Sequence, residues 1–170
     1  PEPPKPMALD PHPTRAIEWP SPSLQHKLGE GASGVIHQAD WRQPDGSLRP
    51  VAVKLFKGAV TSDGWPHSEM AGCLAGGAHP GLIPVLGRVA HHPDASTGLV
   101  LELVDPSFRN LAGPPSLESC TRDVYGDEAR WSAETALRMA RGIASAIARL
   151  HARGILHGDL YGHNILWNGR

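Results

Sequence analysis

Val51-Ala52-Val53-Lys54-Leu55-Phe56 is a β-branched, apolar run with one charge in its middle. Its composition reads as a strand. Period-two geometry puts Ala52 and Lys54 on one face and Val51, Val53 and Leu55 on the other. One face therefore packs a core, while the other presents a small residue and a cation. A lysine in a half-buried strand is costly unless an anion meets it. The fold must bring a carboxylate or an anionic ligand to that point. Upstream, Gly29, Gly31 and Gly34 fit the spacing G-x-G-x-x-G inside Leu28–Ile36, and Pro44-Asp45-Gly46 is a turn signal. Glycines at this spacing let the backbone approach phosphate oxygens with no side chain between. In a dinucleotide-binding unit they would join a strand to a helix. Here a strand follows, so Leu24 to Phe56 reads as three antiparallel strands.

The next segment, Thr61 to Ala75, reads as a short helix. Ser62 or Asp63 is placed to cap it, Pro66 suits a first turn, and Gly76-Gly77 ends it. Met70, Cys73 and Leu74 form a narrow apolar stripe. Glu69 lies beside that stripe and is expected to meet Lys54, although a solvated surface charge is the usual fate of a helix glutamate. Leu82 to Val89 and Thr97 to Val104 read as two further strands. Between them, His91-His92 has no third or fourth ligand at metal-site spacing. Pro106 to Asp127 is polar and Pro/Gly-spaced, with a short helix near Leu117 to Asp123 as its one candidate element. Trp131 to Ala152 is the clearest helix, capped by Ser132. Leu137, Ala140, Ala144, Ile147 and His151 trace one face, flanked by Ala136, Met139, Ile143 and Leu150. Gly154 ends it.

His157-Gly158-Asp159-Leu160-Tyr161-Gly162-His163-Asn164 then places an aspartate and an asparagine five positions apart between two apolar runs. Together with G-x-G-x-x-G, V-A-V-K and a helix glutamate, in that order, it resembles the eukaryotic-like protein kinase family over about residues 24 to 170, and most of all its bacterial members. The family implies an α+β fold. It has a five-stranded antiparallel N-lobe sheet with one helix, followed by the start of a mainly helical C-lobe. The division expected is a Pro-rich linker or tail over 1–22, an N-lobe over 23–104 and an incomplete C-lobe over 105–170.

The resemblance also implies roles. Lys54 would pair the α/β-phosphates of ATP, and Glu69 would hold Lys54. Gly29, Gly31 and Gly34 would cover the phosphates. Leu28, Ile36, Ala52 and Leu166 would sandwich the adenine, with Leu101 as gatekeeper and the backbone of Glu102 and Val104 reading the adenine edge. Asp159 would be the catalytic base and Asn164 a ligand to Mg²⁺. His163, between them, is expected to be a solvent-facing loop histidine. Three departures stand out. Gly158 replaces the arginine of H-R-D, which in the family often meets a phosphorylated activation loop. Tyr161 replaces the lysine usual in serine/threonine kinases. The D-F-G segment, activation loop and A-P-E are absent, because the chain ends before the point where the family carries them.

The function implied is ATP-dependent transfer of the γ-phosphoryl group to a protein hydroxyl, on serine or threonine. The alternatives are a small-molecule phosphotransferase of the aminoglycoside or choline kinase type, which also favours H-G-D, and a nucleotide-binding pseudokinase or scaffold. A formal net charge of −1 over 170 residues gives no reason to expect nucleic acid or a membrane surface. No apolar run approaches the roughly 18 residues of a membrane helix. Cys73 and Cys120 make neither a disulfide framework nor a zinc site, and a cytoplasmic setting is the expectation. The chain reads as an excerpt of a longer protein with an upstream domain, inactive by itself, acting on a protein substrate.

Overall fold

The computed structural model describes residues 15–19, 21–58, 65–120, 122–127 and 129–169. They form two compact units. The first runs to Leu103 and takes in Arg153–Ile155; the second holds Val104–Ala152 and the residues from Leu156 onward.

The first unit is a six-stranded sheet with one helix. Its strands are β1 (Ala16–Glu18), β2 (Pro22–Glu30), β3 (Gly34–Arg42), β4 (Leu48–Phe56), β5 (Val85–Ala90) and β6 (Gly98–Glu102), with α1 (Pro66–Gly76) between β4 and β5. The sheet order is β1-β5-β6-β4-β3-β2. Every pairing is antiparallel except β1 with β5. The sheet is therefore mixed and carries one strand more than the five antiparallel strands expected from the sequence. The extra strand comes from the segment read as a Pro-rich tail.

A proline-free stretch explains that strand. Between Pro13 and Pro20 the chain can donate N–H groups, and Ile17 is the one strongly apolar aliphatic residue there. Arg88 N–H donates to Arg15 O and Trp19 N–H to Ala90 O, both at 2.9 Å. Ile17 is only 2 % exposed and joins the core of Ala39, Trp41, Val51, Val53, Val89 and Val100. Gly87 makes the approach possible: a Cβ there would lie 2.5 Å from Arg15 O and 2.7 Å from Ile17 Cδ1.

The alternation in β4 holds. Val51 and Val53 enter that core, each burial contributing roughly 1.5–3 kcal/mol. The opposite face carries Ala52, Lys54 and Phe56, and Phe56 packs with Met70 of α1 and Leu99 of β6. Helix α1 starts at Pro66, with Trp65 as an N-cap that makes no side-chain bond. The caps expected at Ser62 and Asp63 lie outside the described residues. Met70 and Leu74 face the sheet, whereas Cys73 is exposed, so the apolar stripe is narrower than expected. Gly77, at φ 67°, ends the helix, and Arg153 Nη1 donates to Ala75 O at 2.8 Å, satisfying one terminal carbonyl.

The second unit contains β7 (Arg109–Asn110), α2 (Ala133–His151), a 3₁₀ turn at Gly162–Asn164 and β8 (Leu166–Trp167). Strands β7 and β8 pair antiparallel, Arg109 opposite Trp167 and Asn110 opposite Leu166. Ser132 caps α2 as expected, its Oγ accepting from Thr135 N–H at 3.1 Å. Ala146 and Leu150 are buried and Met139, Ile143 and Ile147 half-buried, while Leu137, Ala140 and Ala144 are exposed. The covered stripe is therefore the flanking one. Among the described residues near Leu117 to Asp123 no helix forms. Leu117 is 92 % exposed, and a turn with Cys120 at φ 53° takes its place, so no apolar face exists for a helix to bury. Instead Gly113 and Val124 form a bridge, which holds the segment as a closed loop. Among the described residues, no helix is long and apolar enough to cross a membrane.

Candidate active site

In the first unit the lysine of β4 has found its counter-charge. Lys54 Nζ donates to Glu69 of α1 and, at 3.0 Å, to Ser33 Oγ in the β2–β3 turn. It also lies 5.1 Å from the centroid of the Phe56 ring. A shared face of β4 explains the meeting: Lys54 lies on the same side as Phe56, which packs against Met70, the residue after Glu69. Lys54 stays 16 % exposed and Glu69 34 % exposed, so neither charge is sealed from water.

The glycines of the turn divide into two kinds. At Gly34 a Cβ would sit 2.5 Å from Leu55 O, so this glycine is demanded by the packing of β3 on β4. At Gly29 and Gly31 a Cβ would meet nothing within 4 Å. The protein itself does not need those two to be glycine, and the open space suits the approach of an outside group. The flank of the turn is pinned by charge. Bonds from Lys57 and, at 3.0 Å, from Lys27 hold the Glu30 carboxyl down at about 2. Gly31 N–H closes the turn on Gly34 O at 3.0 Å.

The remaining sequence-predicted residues of this unit lie on β2, β3, β4 and β6. Ile36 is the cross-strand neighbour of Lys54, and Ala52 that of Leu101. Leu28 is 46 % exposed, and Ala52 only 6 %. Glu102 N–H donates to Pro84 O at 2.9 Å, which removes that N–H from any base edge. Its side chain meets Arg49 at 2.5 Å. Val104 and Leu166, both half-buried, belong to the second unit.

In the second unit Asp159 and Asn164 lie together, both exposed. Asn164 Nδ2 donates to Asp159 Oδ2 at 2.7 Å and to Asp159 O at 3.0 Å. With its nitrogen committed, the amide presents its carbonyl oxygen as a neutral hard donor, the type Mg²⁺ takes. Gly158, at φ 78°, occupies the left-handed region that glycine reaches without strain. The chain before Asp159 is thereby turned in a way an arginine would resist.

His163 is not the solvent-facing residue expected. Its Nδ1 lies 2.6 Å from Asp123 Oδ1, and the side chains are only 21 % and 9 % exposed. The other Asp123 oxygen accepts from Gly162 N–H at 2.5 Å. The His163 bond, aided by the Gly162 amide, holds the Asp123 carboxyl below its ordinary range against the opposing effect of burial. Tyr161 stacks on His163 at 5.6 Å between centroids, and Asn110 Nδ2 donates to His163 O. Ser33, Asp123 and Asn110 are functional candidates that sequence reading missed. None carries a local signal; their partners are distant in sequence.

A family model of protein tyrosine and serine/threonine kinases matches residues 23–170. The chain belongs to that family. A protein of Oryza sativa subsp. japonica named as cyclin-dependent kinase F-2 is 32 % identical over 147 residues, covering 82 % of this chain and 41 % of that protein. The human non-receptor tyrosine-protein kinase TNK1 is 31 % identical over 140 residues, 82 % of this chain and 20 % of its own length. Serine/threonine-protein kinase PkaB of Streptomyces coelicolor is 28 % identical over 142 residues, 82 % of this chain and 30 % of its own length. The chain thus spans less than half of each of these relatives.

Proposed function

We propose that this chain is the nucleotide-binding and catalytic-loop part of an ATP-dependent protein kinase whose acceptor is a serine or threonine hydroxyl. The observation that carries the reading is the strand lysine held between a helix carboxylate and the glycine turn, beside two glycines with open space. ATP, with Mg²⁺, supplies the phosphoryl group and the charge screening. Lys54, kept in place by Glu69, neutralises phosphate charge as the bond to the leaving diphosphate breaks. Gly29 and Gly31 give the phosphates room, since neither presents a side chain to the open space. Asp159 orients the acceptor hydroxyl and takes its proton as the new O–P bond forms. Asn164 steadies Asp159 through Nδ2 and offers Oδ1 to the metal. Relatives named for both serine/threonine and tyrosine kinases support protein as the substrate class.

Two experiments test this. In the first, full-length protein is given γ-labelled ATP, Mg²⁺ and a mixture of protein substrates, and the labelled residues are identified. Phosphoserine or phosphothreonine is expected. Label only on tyrosine would overturn the acceptor assignment. Label only on small molecules would favour the aminoglycoside or choline kinase type, and nucleotide binding with no transfer would favour a scaffold.

The second experiment exploits the two kinds of glycine. Gly34→Ala should lower stability by about 1–3 kcal/mol, because the Cβ meets backbone that cannot move aside. Gly31→Ala should leave the melting temperature unchanged. It should weaken ATP binding about tenfold or more, roughly 1.4 kcal/mol, because the added Cβ holds the phosphates off the turn. Melting curves and nucleotide titration separate the two. Equal ATP affinity in wild type and Gly31→Ala would remove the phosphate-binding role.

A further inference from the structure

We propose that Asp123 is a positioning residue for the catalytic loop. It acts through His163 and the Gly162 amide on Asn164 and Asp159, and the inference rests on the kinase reading of that loop. The geometry is a two-pronged clamp. One carboxylate oxygen meets His163 Nδ1 at 2.6 Å and the other the Gly162 N–H at 2.5 Å. Both grips fall on consecutive residues of the 3₁₀ turn that ends in Asn164. From there the connections run directly to the reacting end of the loop. Asn164 N–H donates to Tyr161 O at 3.0 Å, and its side chain holds both Asp159 Oδ2 and Asp159 O.

The clamp arm is itself fixed. Gly113 and Val124 exchange two backbone bonds, at 2.7 and 3.1 Å, one residue beyond Asp123. Ala112 N–H donates to Gly162 O at 3.3 Å, and Leu111 N–H to Ile165 O at 2.8 Å. Gly162 is buried, and a Cβ on it would lie 2.7 Å from Tyr125 Oη and 3.0 Å from Ala112 Cβ. The loop is thus set against the 111–125 segment with no slack, and Asp123 supplies the side-chain charge at that contact. With Gly158 before Asp159, this chain anchors its loop from an earlier segment of its own backbone. Preorganised groups of this kind raise turnover without touching the reactants.

The test uses full-length protein and three variants, Asp123→Ala, Asp123→Asn and His163→Ala, with the double variant Asp123→Ala/His163→Ala. Asp123→Ala is expected to lower kcat about 10–100-fold with KM for ATP unchanged, in the range typical of residues that support a ligating or catalytic group. Asp123→Asn should recover most of that loss, since an amide can accept from Gly162 and donate to His163. The double variant should be little worse than Asp123→Ala, because neighbours in one network do not add. Amide exchange at Gly162 and His163 should rise in Asp123→Ala and stay low in Asp123→Asn. If Asp123→Ala fails to fold, Asp123→Asn and His163→Ala carry the comparison. Unchanged exchange, or wild-type kcat in Asp123→Ala, would overturn the inference. An inactive wild type in which exchange still rises would leave the clamp standing and instead sink the kinase reading.

Discussion

Lys54→Met in the full-length protein is expected to cut phosphoryl turnover by at least about 10²–10³-fold, the range seen when one preorganised charge-stabilising donor is removed. The fold should survive. Glu69 is left without its lysine, but at 34 % exposure it can be hydrated where it stands, so no buried unpaired charge is created. The methionine occupies similar volume and can rest near the Phe56 ring, a contact sulfur favours. Circular dichroism and a melting curve would therefore match wild type within a few degrees, while steady-state kinetics would not. Wild-type turnover in this variant would make Lys54 a structural lysine whose anion is Glu69 alone.

The second large effect is at Asp159. Asp159→Asn keeps the shape and an oxygen that can still accept from Asn164 Nδ2, but it removes the proton acceptor and the negative charge. General-base and positioning roles of this kind contribute typically about 10²–10⁴-fold, and a loss of kcat in that range is expected. KM for ATP should stay near wild type, because the phosphate-facing groups proposed, Lys54 and the glycines, are untouched. Asn164→Ala should differ: its loss should be partly relieved by raised Mg²⁺, since Oδ1 is assigned to the metal. Kinetics of both variants against ATP and Mg²⁺ make the measurement. Equal behaviour of the two, or undiminished kcat in Asp159→Asn, would end the division of roles.

What the sequence revealed and what it hid follow from the range of the interactions. Lys54 was legible because a charge inside Val51–Phe56 is a local anomaly that demands an anion. Glu69 followed as the only nearby carboxylate beside an apolar helical stripe. Ser132 and Gly77 were legible because caps and stops are set by a few adjacent residues. Asp123 was not, since its bonds to Gly162 and His163 span 39 and 40 positions. The segment around it has neither strand nor helix periodicity to say which way it runs. Read alone, His163 is a polar residue in a loop, and only the arriving carboxylate makes it a half-buried anchor. Strand β1 was hidden for a related reason. Three residues are too few for a periodic signal, and what makes them a strand is the missing Cβ of Gly87, some 70 residues away in sequence.

That short strand bears on self-association. The family match begins at residue 23, after β1 has already been made. A recombinant piece cut at that boundary would leave β5 with an unpaired row of N–H and C=O groups. Such an edge is a template for the strand of another molecule. The place of Ile17 would become an apolar hole beside it. With β1 present, the outermost strand is three residues long and bracketed in sequence by Pro13 and Pro20, which have no N–H to offer. At this edge a neighbouring chain would find almost no ladder to extend, so these few residues upstream of the matched region shield the β5 side of the sheet from edge-to-edge pairing.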